Sequence, residues 1–303
     1  YSLLDGQISD RSKREKIAQS LAGMGFSEII TNSITNSKYY PDNTELVHML
    51  NSLSSELDVM RPSMLETGLE VVSYNLARRN KDLCLFEHGS VYKTADSKYE
   101  QSAKLAIFAS GDAQKSSLSG KAVKANGAYL KSVVDNLLAL GGIDKTTQDF
   151  SEGIVSIKWK NKVLCSITEV PAQKLLAFDI KERVWYAEID WALFTEAMSL
   201  SKLKYSEVPK YPMVQRDLAL VLDKAITYAQ LQKTTDKLKL GVLKSYSLFD
   251  IFENEKLGAD KKSMAMSYYF QLNDRTLTDV ETEALMEQLK AAYTKDFNAQ
   301  IRN

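Results

Sequence analysis

A chain of 303 residues, 44% hydrophobic and 26% charged, has the composition of a folded protein with room for about two domains. Disordered and collagen-like classes are excluded. No apolar run approaches the roughly 20 residues that span a bilayer, and no leader-like region opens the chain, so a cytoplasmic protein without membrane contact is expected. Formal charge is zero, with 39 basic and 39 acidic residues, and residues 206–303 hold 14 of each. The broad positive face of a phosphate-driven nucleic-acid binder is missing, so DNA is not an expected partner and any RNA contact must rest on a few bases.

The chain opens Tyr1-Ser2-Leu3-Leu4 without Met, as an excised segment of a longer protein would. Ser9-Asp10 followed by Ile17, Leu21 and Met24 predicts a helix that Gly23 and Gly25 stop. Glu28 to Thr35 alternates like a half-buried strand. Ser63 to Asn80 predicts a second helix, started by Pro62, with Leu65, Leu69, Val72 and Leu76 on one face. Strands are expected over Leu83–Lys93 and Lys104–Ser110, a helix over Asn126–Leu140 stopped by Gly141-Gly142, and strands over 153–159, 162–170 and 183–190. Short turns such as Lys160-Asn161 imply antiparallel pairing, so residues 1–200 read as an α+β domain.

Apolar periodicity lapses over Ser199–Pro212, where Lys202, Lys204, Pro209, Lys210 and Pro212 mark a linker. After it come a strand (215–222), a helix (226–239), two strands (242–251 and 262–272), a helix (278–294) and a short strand near 298–302. This βαββαβ order is the ferredoxin-like plan, shared with RNA-binding RRM modules. Thr278 and Glu281 form a capping box at the last helix.

Catalytic signatures are missing. Gly23-Met24-Gly25 follows a helix and precedes a strand, the reverse of a dinucleotide loop, so it reads as a helix stop. Cys84 and Cys165 lie in apolar strand-like runs and are expected as reduced, buried thiols. His48, in a short apolar run, and His88, at a turn Glu-His-Gly, belong to no ligand cluster, so no metal site is expected. Glu281 and Glu283 answer to a helix dipole rather than to acid-base chemistry. Asp250 and Phe252 differ: at i and i+2 they share a strand face, where one could accept base N–H groups and the other stack on a base. A core role for Phe252 explains the same pattern.

Tyr211-Pro212-Met213-Val214-Gln215-Arg216-Asp217-Leu218-Ala219 resembles the "FPxxxRDxA" opening of the anticodon-binding domain of the phenylalanyl-tRNA synthetase β subunit family. Leu248–Phe252 is similar to its "LFDxY", Lys262-Ser263-Met264-Ala265 to "KSLA", Arg275–Asp279 to "RTLTD" and Gln300-Ile301-Arg302 to its "xLR" terminus. Upstream, Gly25–Thr31, Met60–Ser63 and Phe86–Tyr92 resemble the same subunit's catalytic-like domain. The resemblance implies a class II synthetase-like antiparallel domain over 1–200 that has no catalytic residues, then a ferredoxin-like anticodon-binding domain over 206–303. It implies pairing with an α subunit in an (αβ)2 heterotetramer, with ATP and magnesium bound elsewhere in the complete enzyme and none by this chain. Class II adenylation uses an arginine after G-x-V-Y, whereas Gly89-Ser90-Val91-Tyr92 continues into Lys93, which cannot reproduce a guanidinium fork.

Ala219, Asp250, Phe252 and Ser263 fall at the family's anticodon-contacting positions, with Phe252 in place of the usual tyrosine. The rival reading of the second domain is a regulatory module that binds a small ligand and not RNA.

Overall fold

The computed structural model describes residues 9–302 apart from 53, 55, 96–97, 117, 119, 152, 202–207, 255–257 and 259. The opening Tyr1–Leu4 and the linker residues Lys202 and Lys204 lie outside the described residues. The chain divides into two compact units, Tyr1–Lys204 and Tyr205–Asn303.

The first unit runs α1 (Asp10–Gly23), β1 (Ser27–Glu28), β2 (Ile34–Thr35), β3 (Val47–His48), β4 (Val59–Met60), α2 (Leu65–Ala77), β5 (Leu83–Ala95) and β6 (Lys98–Ser110). It continues with β7 (Asp112–Gln114), β8 (Val123–Lys124), α3 (Gly127–Leu140), β9 (Thr147–Ser151), β10 (Ile154–Trp159), β11 (Lys162–Glu169), α4 (Ala172–Ala177), β12 (Val184–Asp190) and α5 (Trp191–Leu200). Among the described residues a seven-stranded sheet has the order β1-β5-β6-β12-β11-β10-β9, antiparallel except for the β1–β5 pair. Lys160 and Asn161 both have positive φ, +48° and +64°. That is the type I′ geometry whose twist suits a two-residue hairpin.

Capping chemistry sets the helix starts. The Ser9 hydroxyl accepts the Ser12 N–H, and the Asn126 side chain accepts the Tyr129 N–H. Gly25, with φ +91°, turns the chain out of α1. One sheet face packs Phe86, Ile107 and Ile167 with Ile17 and Leu21 of α1, Leu137 of α3 and Phe194 of α5. The other packs Phe108 and Tyr186 with Met64, Leu69, Val72 and Leu175. Here α2 lies so close that a Cβ on Gly68 would come within 2.0 Å of the Phe108 ring.

The single strand expected from Glu28 to Thr35 is instead two short ones. β1 pairs with β5, while β2 joins β4 and β3 in a separate small sheet. A buried carboxylate breaks the run. Glu87 accepts hydrogen bonds from the Thr31 N–H (3.0 Å) and the Thr31 hydroxyl (2.7 Å), pulling the chain off the sheet and leaving Ile30 93% exposed. Arg61 completes this centre: its Nη1 lies 3.2 Å from Glu87 Oε1 and 2.6 Å from Thr31 Oγ1, and its Nε donates to the Ser90 carbonyl at 2.8 Å.

The second unit runs β13 (Val214–Asp223), α6 (Tyr228–Lys237), β14 (Leu243–Phe252), β15 (Lys261–Phe270), α7 (Asp279–Phe297) and β16 (Gln300–Arg302). Its sheet order is β14-β15-β13-β16, the ferredoxin-like arrangement, with the core formed against α6 and α7. Tyr268 donates to Tyr293 in that core, and Tyr293 in turn contacts the Thr235 hydroxyl.

Thr278 caps α7 as a reciprocal box. Its hydroxyl accepts the Glu281 N–H, and Glu281 accepts the Thr278 N–H at 3.0 Å. Arg275 also bonds Glu281, and these contacts hold the Glu281 carboxyl down at about 2. Replacing Thr278 with Ala leaves orphan N–H groups in the first turn and should cost about 1 kcal/mol. Faster amide exchange confined to the start of α7 checks this; unchanged protection there would count against it.

Candidate nucleic-acid interface

Alternation divides the second sheet into two faces. Leu218, Leu220 and Leu222 of β13, with Met264, Met266, Tyr268 and Phe270 of β15, enter the helix-covered core. Gln215, Asp217 and Ala219, with Ser263, Ala265, Ser267 and Tyr269, are therefore on the face that no helix covers. Its middle is a low floor, because Ser and Ala stand between larger neighbours.

Strict alternation would send Asp250 to the wrong side, since Leu248 lies opposite the core residue Met266. A bulge corrects the phase. The register shifts between Leu248 and Asp250, so that Asp250 lies opposite Ala265 and Phe252 opposite Ser263, both on the open face. Ala265 in turn lies opposite Ala219. Ala219, Asp250, Phe252 and Ser263 thus occupy two adjacent cross-strand rows. With strands about 4.8 Å apart and row steps of about 7 Å, they form one patch roughly 10 Å across.

Phe252 is 45% exposed and stands outside the core, so it is not a core aromatic. Ser263, by contrast, is 6% exposed and lies in the floor. Asp250 is exposed, and among the described residues no hydrogen bond or ion pair engages its carboxylate. Asp250 thus presents carboxylate acceptors on the same face as the exposed Phe252 side chain.

Among the remaining candidates, Glu283 pairs with Lys290. Cys84 and Cys165 are free thiols, both pushed up by burial and, for Cys165, held inside the core. Cys84 is only partly buried. His48 lies exposed in β3. His88 is not at a turn: it sits inside β5, edge-on against Trp191 with ring centroids 4.6 Å apart. Lys93, at the position after Gly-Ser-Val-Tyr, pairs with Glu100 at 3.1 Å.

The β14 bulge and the buried Arg61 centre were not legible from residue patterns. The only signal for Arg61 was its place in the short segment Met60–Ser63.

Residues 5–191 match the family described as phenylalanyl tRNA synthetase beta chain CLM domain, and residues 209–302 match the ferredoxin-fold anticodon binding domain. Among similar proteins, the phenylalanine–tRNA ligase beta subunit of Bacteroides thetaiotaomicron is 33% identical over 308 residues, covering 94% of this chain and 38% of its own length. That of Porphyromonas gingivalis is 32% identical, covering 98% and 39%. The chain therefore spans under two fifths of these relatives. Among solved structures, pyrrolysyl-tRNA synthetase from Desulfitobacterium hafniense matches with a TM-score of 0.51 at 15% identity, over 66% of this chain and 72% of that one, a likeness of fold. Matched across both of its units, the chain belongs to the phenylalanyl-tRNA synthetase β-chain family.

Proposed function

We propose that this chain is the part of a phenylalanine–tRNA ligase β subunit that binds the anticodon of phenylalanine tRNA through residues 206–303 and docks the α subunit through residues 1–200. The complete enzyme is then an (αβ)2 heterotetramer that charges the tRNA with phenylalanine in the cytoplasm. The observation that carries this reading is the convergence of Ala219, Asp250, Phe252 and Ser263 on one uncovered sheet face.

Each side chain has a role there. The first anticodon base is a guanine, whose N1–H and N2–H are donors for the two oxygens of Asp250. The Phe252 ring stacks on the base, an interaction worth about 1–3 kcal/mol. Ser263 adds a hydroxyl at the floor, and Ala219 leaves room above the central strand. The hydroxyl of the family's usual tyrosine is lost at Phe252, so affinity here rests on the ring.

Adenylation is assigned to the α subunit, with its ATP and magnesium. Lys93 already pairs with Glu100 and, as a point charge, does not reproduce the guanidinium fork that grips a phosphate through two oxygens. On the α2 side of the sheet, Met64, Leu69 and Phe108 fill the space over the strands. The match of the second unit to an anticodon-binding family sets aside the small-ligand alternative.

Titrating a labelled anticodon stem-loop of phenylalanine tRNA against the chain tests the reading, beside a loop with scrambled anticodon. Binding should be weak, because the unit carries no net charge, but selective. Phe252→Ala should weaken the cognate loop about 10-fold, while Asp250→Ala should remove the preference for guanine at the first position. Equal binding of cognate and scrambled loops would overturn the proposal.

A further inference from the structure

Beyond the patch around Asp250, the same open face carries a second cluster that the proposed guanine contact does not use. Ser267 lies opposite Asp217, and Tyr269 opposite Gln215. The Ser267 hydroxyl donates to Asp217 Oδ1 at 2.6 Å. Gln215 Nε2 donates to the same Oδ1 at 3.1 Å and reaches Ser267 Oγ at 3.3 Å.

Two donors converging on one carboxylate oxygen fix the plane of the group. Among the described residues, Asp217 Oδ2 and Gln215 Oε1 accept no hydrogen bond. Both side chains are exposed, whereas Ser267 is 4% exposed and serves as the anchor. A tie between strands would need only Oδ1. The arrangement instead presents two oriented acceptors beside the half-buried ring of Tyr269.

We infer that Gln215, Asp217, Ser267 and Tyr269 form a second base-recognition subsite, selective for a base that carries an exocyclic amino group, and that it holds one of the two remaining anticodon bases. This rests on the anticodon reading proposed above. The codons UUU and UUC require adenine at both of those positions, and the adenine 6-amino group is its edge donor. Uracil would turn carbonyl oxygens toward the same acceptors. Ring stacking on Tyr269 supplies the sequence-tolerant part of the contact.

Spacing agrees with this. Ser263 and Ser267 are four residues apart on β15, about 14 Å along the strand. Bases stacked at about 3.4 Å per step would not reach from one subsite to the other. Bases splayed out of the stack, as in single-stranded loops read by proteins, span a wider interval.

The test uses the 303-residue chain and stem-loops in which the second or the third anticodon adenine is replaced by purine riboside, which lacks only the amino group. The chain should bind one of these two loops about 10-fold more weakly than the adenine loop, as loss of a hydrogen bond to a charged group predicts. Asp217→Asn and Gln215→Ala should erase that difference while keeping the preference for guanine at the first position. Gln215→Ala leaves the Asp217–Ser267 bond in place, so its result does not depend on the strand tie. If both variants keep the full adenine preference while Phe252→Ala loses binding, the second subsite is wrong and the anticodon reading survives. If the unsubstituted chain does not prefer the cognate loop at all, both fall.

Discussion

Arg61→Ala should destabilise the first unit by about 3–5 kcal/mol, the cost of leaving a buried charge without its partner. Both partners are almost wholly enclosed, with side-chain exposures of 2% for Arg61 and 4% for Glu87. The guanidinium also serves the Ser90 carbonyl and the Thr31 hydroxyl. Its removal therefore strands a carboxylate and a carbonyl together. Gly89 belongs to the same design, because a Cβ there would lie 2.2 Å from Arg61 Nη2.

All three tryptophans, Trp159, Trp185 and Trp191, are in residues 1–204, so tryptophan fluorescence in urea reports this unit alone. A second variant separates charge from packing. Arg61→Met with Glu87→Leu removes both charges, and should recover a large part of the loss, since well-packed apolar pairs often replace buried ion pairs at little cost. A loss below 1 kcal/mol for Arg61→Ala would show that water reaches Glu87 and that the centre is not buried in solution.

Patterns short in range were readable in the sequence, and those set by long-range partners were not. The six elements of the second unit follow from period-2 and period-3.6 runs bounded by turn residues, and Thr278 with Glu281 marks a helix start by local chemistry. The helix Trp191–Leu200 has no clear periodic signature although Asp190 caps it, because Trp191, Leu193, Phe194 and Ala197 form a nearly continuous apolar run after a strand. The break at Thr31 depends on a carboxylate 56 residues away. Register is likewise a tertiary property. That Asp250 and Phe252 share a face follows from their spacing, but which face depends on a bulge opposite Met266 and Ala265.

The family resemblance and the geometry thus contribute different things. Motif matches point to Ala219, Asp250, Phe252 and Ser263 without saying that they meet. Cross-strand register brings them within one patch. The same register puts Asp217 and Ser267 side by side, a pairing that the spacing of 50 residues between them does not announce.

The second large effect concerns pH. His88 sits in β5 against Trp191 of α5 and Phe86, and neither ring nitrogen has a hydrogen-bond partner among the described residues. The charged groups facing it are Arg14 and Asp10, both on α1. Burial, then the positive charge of Arg14, lower the imidazole from 6.5 to about 4, with Asp10 opposing. In the unfolded chain the ordinary value returns. Between these limits the unfolded state binds more protons, so stability is fully present above about pH 6.5 and falls as pH drops toward 4.

A fall from 6.5 to about 4 corresponds to about 3 kcal/mol when complete, of which about 2 kcal/mol should be lost by pH 5. His88→Phe keeps a ring against Trp191 and cannot take up the proton. Carboxylates titrate in both proteins and cancel in the comparison. Urea midpoints followed by tryptophan fluorescence at pH 7.5 and pH 5 should therefore separate with acidification, the unsubstituted chain losing about 2 kcal/mol more than the variant. Parallel shifts in the two proteins would mean that the His88 proton is accommodated in the folded state, and that the site beside Trp191 opens to water.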